Sequence, residues 1–421
     1  MKIILKVFLL LGLTQSLWAQ NNPDDEIFNG NKLFEDVKQY VNFGVHRTAT
    51  SGDNATSAWL KNKLDGFGFR TEYLYFPVKQ YFLESASLKI KDSTLNVFPL
   101  WPVATANVAL NAELVDADND KQSVSGKIAV IRLKKEDRKY IDRLEKLDRF
   151  NDLIAQRASA IVLIVDNEAG EIAALNTQPK ASWKIPVVQL APKDTAQLIS
   201  GARVLLQIKG SLKDVQARSV IAKIGSGKQT VIVSTPISGW FTCGGERGPG
   251  IAIFNAIAKW VSEVKPPYTF VFIANSSHEL EDHRGTHVFI DKKAPKPPDV
   301  RLWVHLGASF AINGYQKTAE GIHKLETVDP KRRVYYSSNL ENTMHQAFDK
   351  KPITQLGNVA LGELSVAAKY GYATYFGFVG ADFNPFFHTP VDNETATSPE
   401  ILEQTALMIR AAIQLELAQQ L

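Results

Sequence analysis

The segment SSHELEDHRGTH, residues 276–287, places three histidines, His278, His283 and His287, around Glu279. These are the residue types of a zinc protease helix, in which two histidines four apart share one face and the glutamate between them takes a proton from water. The spacing does not comply. Four residues beyond His278 stands Asp282, and the next histidine arrives one later, as His283. That offset turns the second imidazole by about 100° around a helix. The stretch is not a self-contained metal motif, so any partners for Glu279 must come from elsewhere in the chain. On this reading Glu279 belongs to a cleft, and His283 and His287 are exposed in the first turn of a helix.

The elements that would position such partners lie mostly after Arg218. The runs TVIVSTP, YTFVFIAN, RLWVHLGA and ATYFGFV read as strands, and GIAIFNAIAKWV as a helix between the first two. A last helix starts at Ser398, an N-cap residue, with Pro399 at its first position. Continuous apolar strands between amphipathic helices predict an α/β fold with an open, mostly parallel sheet flanked by helices. Ligands of such sheets bind beyond the carboxyl ends of the strands. Those ends are followed here by Pro236, Ser238 and Glu246, then by Glu279, and by His388 and Asp392 in HTPVDNE, while His305 lies within the third strand. Convergence of groups suited to metal binding or proton transfer is the usual mark of a site.

At 421 residues, with 45% hydrophobic and 22% charged residues, the chain predicts a globular protein of two domains. The start, MKIILKVFLLLGLTQSLWAQ, has the lysines, short apolar run and small-residue end of a secretory signal peptide, residues 1–19, cut after Ala19. The apolar run is too short to span a bilayer, and no cysteine stands at the cleavage point, so a secreted or periplasmic protein is expected, with no membrane attachment after cleavage. Losing Lys2 and Lys6 takes the formal charge from +4 to +2, which points to no nucleic-acid partner. Cys243 is the sole cysteine, so no intrachain disulfide can form. Near the start of the mature chain, Trp59, Leu60 and Leu64 share one helical face closed by Gly66, and Arg47 reads as a structural ion-pair partner.

Between about Leu100 and Gly210 the texture changes. SGKIAVIRL, ASAIVLIVD, IPVVQL and RVLLQIKG read as strands, and KKEDRKYIDRLEKLDR as a solvated helix. Gly126 and Lys127 before one strand, and Ala158 and Ala160 before the next, resemble the protease-associated domain, a small mixed α/β unit inserted in many secreted peptidases. The expected division is 20–95 with 216–421 as one split domain and 96–215 as the insertion.

The order of the strand-end residues resembles the M28 family of zinc aminopeptidases. That family places a histidine and an aspartate after the first strand, a bridging aspartate next, paired glutamates after the second strand, then an aspartate, and finally a histidine in HTxxD. Here these positions fall on Pro236 and Ser238, on Glu246, on Glu279 and Leu280, on His305, and on His388 with Asp392 behind it. The resemblance implies that Glu279 is the general base, that Asp392 orients His388, and that Glu363 lies near the substrate. The ligand positions that fall on Pro236, Glu246, Leu280 and His305 are changed, so the two-zinc site of the family cannot be assembled.

Three readings remain. In the first, a single zinc is held by Glu246, His305 and His388, with Glu279 as base. In the second, a metal-free hydrolase uses Ser238 or Cys243 as nucleophile, with His305 or His388 as base; there Arg247 is held against its neighbouring glutamate. In the third, catalysis is lost and the cleft binds peptides or small amines. Trp240, Phe241, Phe383, Phe386 and Phe387 are candidates for lining a substrate pocket, with Arg247 as a further substrate contact. Hydrolysis of a peptide or small amide is the expectation, and the non-catalytic binding protein is the alternative.

Overall fold

The computed structural model describes residues 26–119, 122–134, 144–177, 183–280, 282–381 and 384–418. The signal-peptide reading, most of the charged helix assigned to 134–149, and Phe383 fall outside these residues. Among them, no helix is long and apolar enough to cross a membrane.

In chain order, helices α1 (Gly30–Asn42) and α2 (Ser51–Gly66) come first. Strands β1 (Arg70–Ile90), β2 (Ser93–Pro99), β3 (Val108–Asp116) and β4 (Ile128–Leu133), helix α3 (Asp148–Ala155), and strands β5 (Ala160–Val165), β6 (Val187–Leu190) and β7 (Arg203–Ile224) follow. After them come β8 (Thr230–Pro236), α4 (Gly248–Val264), β9 (Thr269–Asn275), α5 (Arg284–Lys292) and β10 (Val300–Leu306). The last part holds β11 (Asn313–Thr318), β12 (Gly321–Val328), β13 (Arg333–Tyr336), α6 (Glu341–Phe348), β14 (Thr354–Gly357), α7 (Glu363–Lys369), β15 (Tyr375–Val379) and α8 (Pro399–Ala418).

The central layer is the parallel run β9-β8-β10-β15, as the apolar strands predict, with β13 antiparallel at one side and β7 antiparallel at the other. Every residue of β8 and β9 is buried, because α1, α4 and α8 cover one face through Val37, Phe254 and Ile409, and α5 and α7 cover the other through Phe289 and Leu364. Helix α2 buries Leu60 and Leu64, and Ser398 begins α8 with its hydroxyl toward the N–H of Ile401.

The expected domain boundaries, 95/96 and 215/216, fall inside β2 and β7, and β7 runs on through its boundary against β1 with a register shift between Leu83 and Ser85. Strands β1 and β7 pair antiparallel from Arg70 with Lys223 to Ile90 with Val204. Their outer ends carry the parallel strands β3, β4, β5 and β6, joined through β3 to β7 and through β2 to β1. Residues 100–190 keep a hydrophobic core of their own, including Leu100, Val115, Ile131, Phe150, Leu163 and Trp183. The segment after β5 runs back to the carboxyl ends of the main sheet and meets the site there.

Candidate functional site

Strand β8 ends at Pro236 and the chain turns through Ser238 into GGERGPG before entering α4. Two glycines are required at 244 and 245 because a neighbouring loop passes against them: a Cβ on Gly244 would lie 2.2 Å from the backbone of Asn393, and one on Gly245 would lie 2.7 Å from Asp392 Oδ1. Asp392 uses that approach. Its Oδ1 accepts the N–H of Gly245 and its Oδ2 the N–H of Glu246, both at 2.9 Å. Burial, with Glu246 close by, pushes the Asp392 carboxyl up to about 7. Asp392 therefore fixes the backbone of Glu246. It does not orient His388, whose Nδ1 instead donates to the carbonyl of Ala174 at 3.0 Å, while the N–H of Ala174 donates to the carbonyl of His388 at 2.9 Å.

With Nδ1–H given to Ala174, the Nε2 of His388 faces two carboxylates, 3.5 Å from Glu246 Oε1 and 3.4 Å from Glu279 Oε1. These three side chains form a group that could hold a metal ion, with one ligand atom from each lying within 4.8 Å of the others. Edges of 3.4–3.5 Å are close to those of a tetrahedron with metal bonds of about 2.1 Å.

A cation already stands among them. Arg247, with 1% of its side chain exposed, brings Nη2 to 2.7 Å from Glu246 Oε1 and donates from the same nitrogen to Glu279 Oε1. Its Nε donates to the Ser238 carbonyl at 3.0 Å, which locks the guanidinium in place. Burial opposes the charge of Arg247, but Glu246 and Glu279 outweigh it and hold the side chain protonated. Burial likewise opposes a charged His388, and Glu279 and Glu246 raise it to about 10. Burial would raise the Glu279 carboxyl, yet His388, His278 and Arg247 bring it well below the usual carboxylate range. Two positive and two negative groups thus make a neutral, buried cluster. Glu279 is fully engaged, since its Oε2 accepts from Asn176 Nδ2 at 2.5 Å.

Zinc does not fit this set as it stands. The donor spacing suits it, and Glu246 Oε1 and Oε2 and His388 Nε2 are buried without aligned hydrogen-bond partners. However, a divalent ion about 3.5 Å from the guanidinium would be repelled by roughly 9 kcal/mol at an effective dielectric constant of 20. It would also need His388 to give up a proton that the two carboxylates hold.

His305 is not part of this group. It is the penultimate residue of β10, in register with Ser234 of β8, so it lies one rung below the strand ends. Its Nδ1 pairs with Ser234 Oγ at 2.9 Å, and burial lowers it to about 4, which keeps the ring neutral. Above it lies a second cluster centred on Glu363 at the start of α7. Glu363 Oε1 meets His278 Nδ1 at 3.0 Å, and Oε2 accepts from Asn275 Nδ2 at 2.8 Å. His278 bridges the clusters, with Nε2 3.9 Å from Glu279 Oε1. Helix α5 starts only at Arg284, so His278 and Glu279 lie in the preceding loop. His283 is not the exposed residue expected: its ring packs on His278 with centroids 4.5 Å apart, both its ring nitrogens are buried, and burial lowers it to about 4. His287 is partly covered, beside Tyr370.

The nucleophile candidates lack a base. Ser238 Oγ accepts the backbone N–H of His278 at 3.2 Å, and no histidine ring bonds to it among the described contacts. Cys243 is buried, and burial with Glu246 and Asp392 nearby pushes its thiol far up, so no thiolate forms there. Of the substrate-contact candidates, Phe387 stacks on His388 with centroids 3.9 Å apart. Trp240 donates Nε1 to Asn176 Oδ1 at 2.7 Å and flanks the guanidinium of Arg47 together with Phe98. Phe241 packs on Phe98, and Phe386 packs edge-on to Tyr315. Arg47 itself has no carboxylate partner among the described residues; it donates to Gln80 at 3.3 Å, its Nε is unsatisfied, and burial lowers it to about 10. Asn176 and Ala174 went unnoticed in the sequence. Nothing in QPK-flanked AALNTQ signals a site, because only the folding back of residues 170–177 brings them there.

No family model and no curated relative matches the chain. Solved structures do. The zinc aminopeptidase BSAP from Bacillus subtilis matches with a TM-score of 0.72 and 16% identity over 92% of this chain and 94% of that one. A peptidase M28 precursor from Shewanella amazonensis matches with a TM-score of 0.68 and 16% identity over 94% and 97%. The aminopeptidase from Aneurinibacillus sp. strain AM-1 gives 0.60 and 16% over 93% and 95%. The chain therefore has the α/β fold of M28 zinc aminopeptidases along nearly its whole length, and at such identities it is the fold that is shared.

Proposed function

We propose that this chain is a non-hydrolytic protein on the zinc-aminopeptidase fold, in which Arg247 takes the place of the metal and the cleft recognises peptides instead of cutting them. The observation that carries this reading is the Arg247 guanidinium in contact with both Glu246 and Glu279. A general base must be free to take a proton at neutral pH. Glu279, bonded to Arg247 and Asn176 and facing His388, is held as a carboxylate far too weakly basic for that. The binding half of the reading is supported by Arg47, a buried guanidinium between Phe98 and Trp240 with no carboxylate partner among the described residues; a peptide carboxylate would complement such a group. We read residues 96–215 as a protease-associated insertion, supported by their separate core, and residues 1–19 as an export signal, which makes the protein secreted or periplasmic.

A one-zinc peptidase or amidase is the competing reading, favoured by the 3.4 and 3.5 Å spacing of His388 from the two glutamates. One experiment separates them. Protein purified without chelator is assayed for zinc by elemental mass spectrometry and for hydrolysis of aminoacyl anilides, and dipeptide binding is titrated with wild type and Arg47→Gln. The expected result is no stoichiometric zinc, no chelator-sensitive turnover, and saturable dipeptide binding that Arg47→Gln loses. About one zinc per chain with chelator-sensitive turnover would establish the peptidase instead.

A further inference from the structure

The opposite end of the main sheet carries a feature unrelated to the strand-end site. One face of β1, β7, β9 and β8 is apolar through Leu74, Ile221, Val271, Ile273 and Ile232. Strand alternation carries that same face on to Arg70, Lys223, Thr269 and Thr230 at the edge. Arg70 and Lys223 are direct cross-strand partners. Like charges directly opposite on neighbouring antiparallel strands disfavour the pair, and an anion bound between these two exposed side chains would relieve that.

The protein does not supply it. Arg70, Lys223, Lys228 and Lys293 all line one cavity of about 620 Å³, with Glu72 and Asp299 the carboxylates of its lining. Glu72 is taken by Lys293 at 2.6 Å. Among the described residues Arg70, Lys223 and Lys228 have no ion-pair partner, and Asp299 alone cannot balance three cations. The floor adds the buried threonines Thr230 and Thr269, and the wall adds the chain at Gly227. A concave site with converging cations concentrates anions, and a guanidinium beside ammonium groups gives the planar fork and point charges that bind phosphate oxygens.

We infer that this cavity binds a compact multivalent oxyanion, the diphosphate group of a small molecule. Its volume lies in the range of small-ligand sites, and its surplus of positive charge matches a ligand carrying more than one negative charge. The site lies at the amino ends of the parallel strands β8 and β9, the far end from Glu279, so it does not depend on the reading of the Arg247 cluster.

The test is calorimetric titration of the full chain with inorganic pyrophosphate at moderate salt, beside orthophosphate and citrate. Saturable binding of pyrophosphate is expected, tighter than that of orthophosphate or citrate. Arg70→Gln and Lys223→Gln should each weaken it about tenfold, the effect of losing one charge-assisted contact, while Lys317→Gln on β11 leaves it unchanged. Neither variant should fail to fold, because each removes half of a repulsive pair; unfolding midpoints in the absence of ligand at or above wild type check this. Pyrophosphate should raise the midpoint of the wild type more than that of Lys223→Gln at the same ligand concentration. No saturable binding, binding by both variants as tight as that of the wild type, or citrate binding as tightly as pyrophosphate would overturn the inference.

Discussion

Replacing Arg247 by methionine keeps most of the apolar stem and removes the charge that separates Glu246 from Glu279. Two buried carboxylates then face the single imidazolium of His388, and breaking a buried ion pair from one side costs about 3–5 kcal/mol. Loss of the Arg247 Nε bond to the Ser238 carbonyl adds about 1 kcal/mol. At roughly 1 °C per kcal/mol for a chain of this size, the unfolding midpoint should fall by on the order of 5 °C. The same change removes the obstacle to a divalent ion, leaving Glu246, Glu279 and His388 with their 3.4 and 3.5 Å spacing. Zinc at a hundred times its dissociation constant should return about 2.7 kcal/mol to the variant and nothing to the wild type. Differential scanning calorimetry with and without zinc reads both effects. A variant as stable as wild type, or a wild type that gains as much from zinc as the variant does, would refute the argument that the guanidinium occupies the place of a metal.

Other outcomes follow from neighbouring residues. His305 has a folded pKa of about 4 against an unfolded value of about 6.5; the unfolded chain binds the extra proton between these values, so stability is intact at neutral pH and falls as pH drops from 6.5 toward 4. His305→Asn should make that fall shallower in chemical denaturation at several pH values, and an unchanged slope would contradict a neutral buried His305. Asp392→Ala strips the N–H groups of Gly245 and Glu246 of their acceptors and should destabilise by about 2–4 kcal/mol, measured by urea unfolding; a loss under 1 kcal/mol would mean that the loop is held by other contacts. Asn176→Ala leaves Glu279 Oε2 and Trp240 Nε1 unpaired and should cost about 1–3 kcal/mol. It should also speed amide exchange in residues 170–177, and unchanged exchange there would show that Asn176 does not tie the segment down. Because His388 is raised to about 10, its ring should give the nitrogen shifts of an imidazolium at pH 8, whereas a neutral ring would contradict the ion-pair cluster.

The strands and helices that frame the site were legible because burial on both faces leaves continuous apolar runs, as in TVIVSTP and YTFVFIAN, whose every residue from Thr230 to Pro236 and Thr269 to Asn275 is buried. The identity of Glu246, Glu279 and His388 as companions was also readable, since each follows the end of a strand. Their partners were less so. Asp392 was expected to orient His388, but the loop geometry turns Asp392 to the backbone of Glu246. His305 was grouped with the strand-end residues, although a position one residue inside the strand places it against Ser234. Arg47, expected in an ion pair, ended among aromatic rings, a contact that no short-range pattern encodes.

The sequence by itself determined the layered α/β fold and the end of the sheet where the candidate site lies, because hydrophobic periodicity and the residues that follow each strand are local properties. Tertiary structure alone decided what the strand-end carboxylates meet. Arg247 could have pointed to solvent or to its neighbour; it bridges Glu246 and Glu279 because β8 and β9 end side by side and burial forces every charge there to find its opposite. The closure of the cluster by Ala174 and Asn176 depends on a segment more than 60 residues from Trp240 and more than 200 from His388. Such contacts arise from the path of the chain through β1 and β7, which no single stretch of sequence contains.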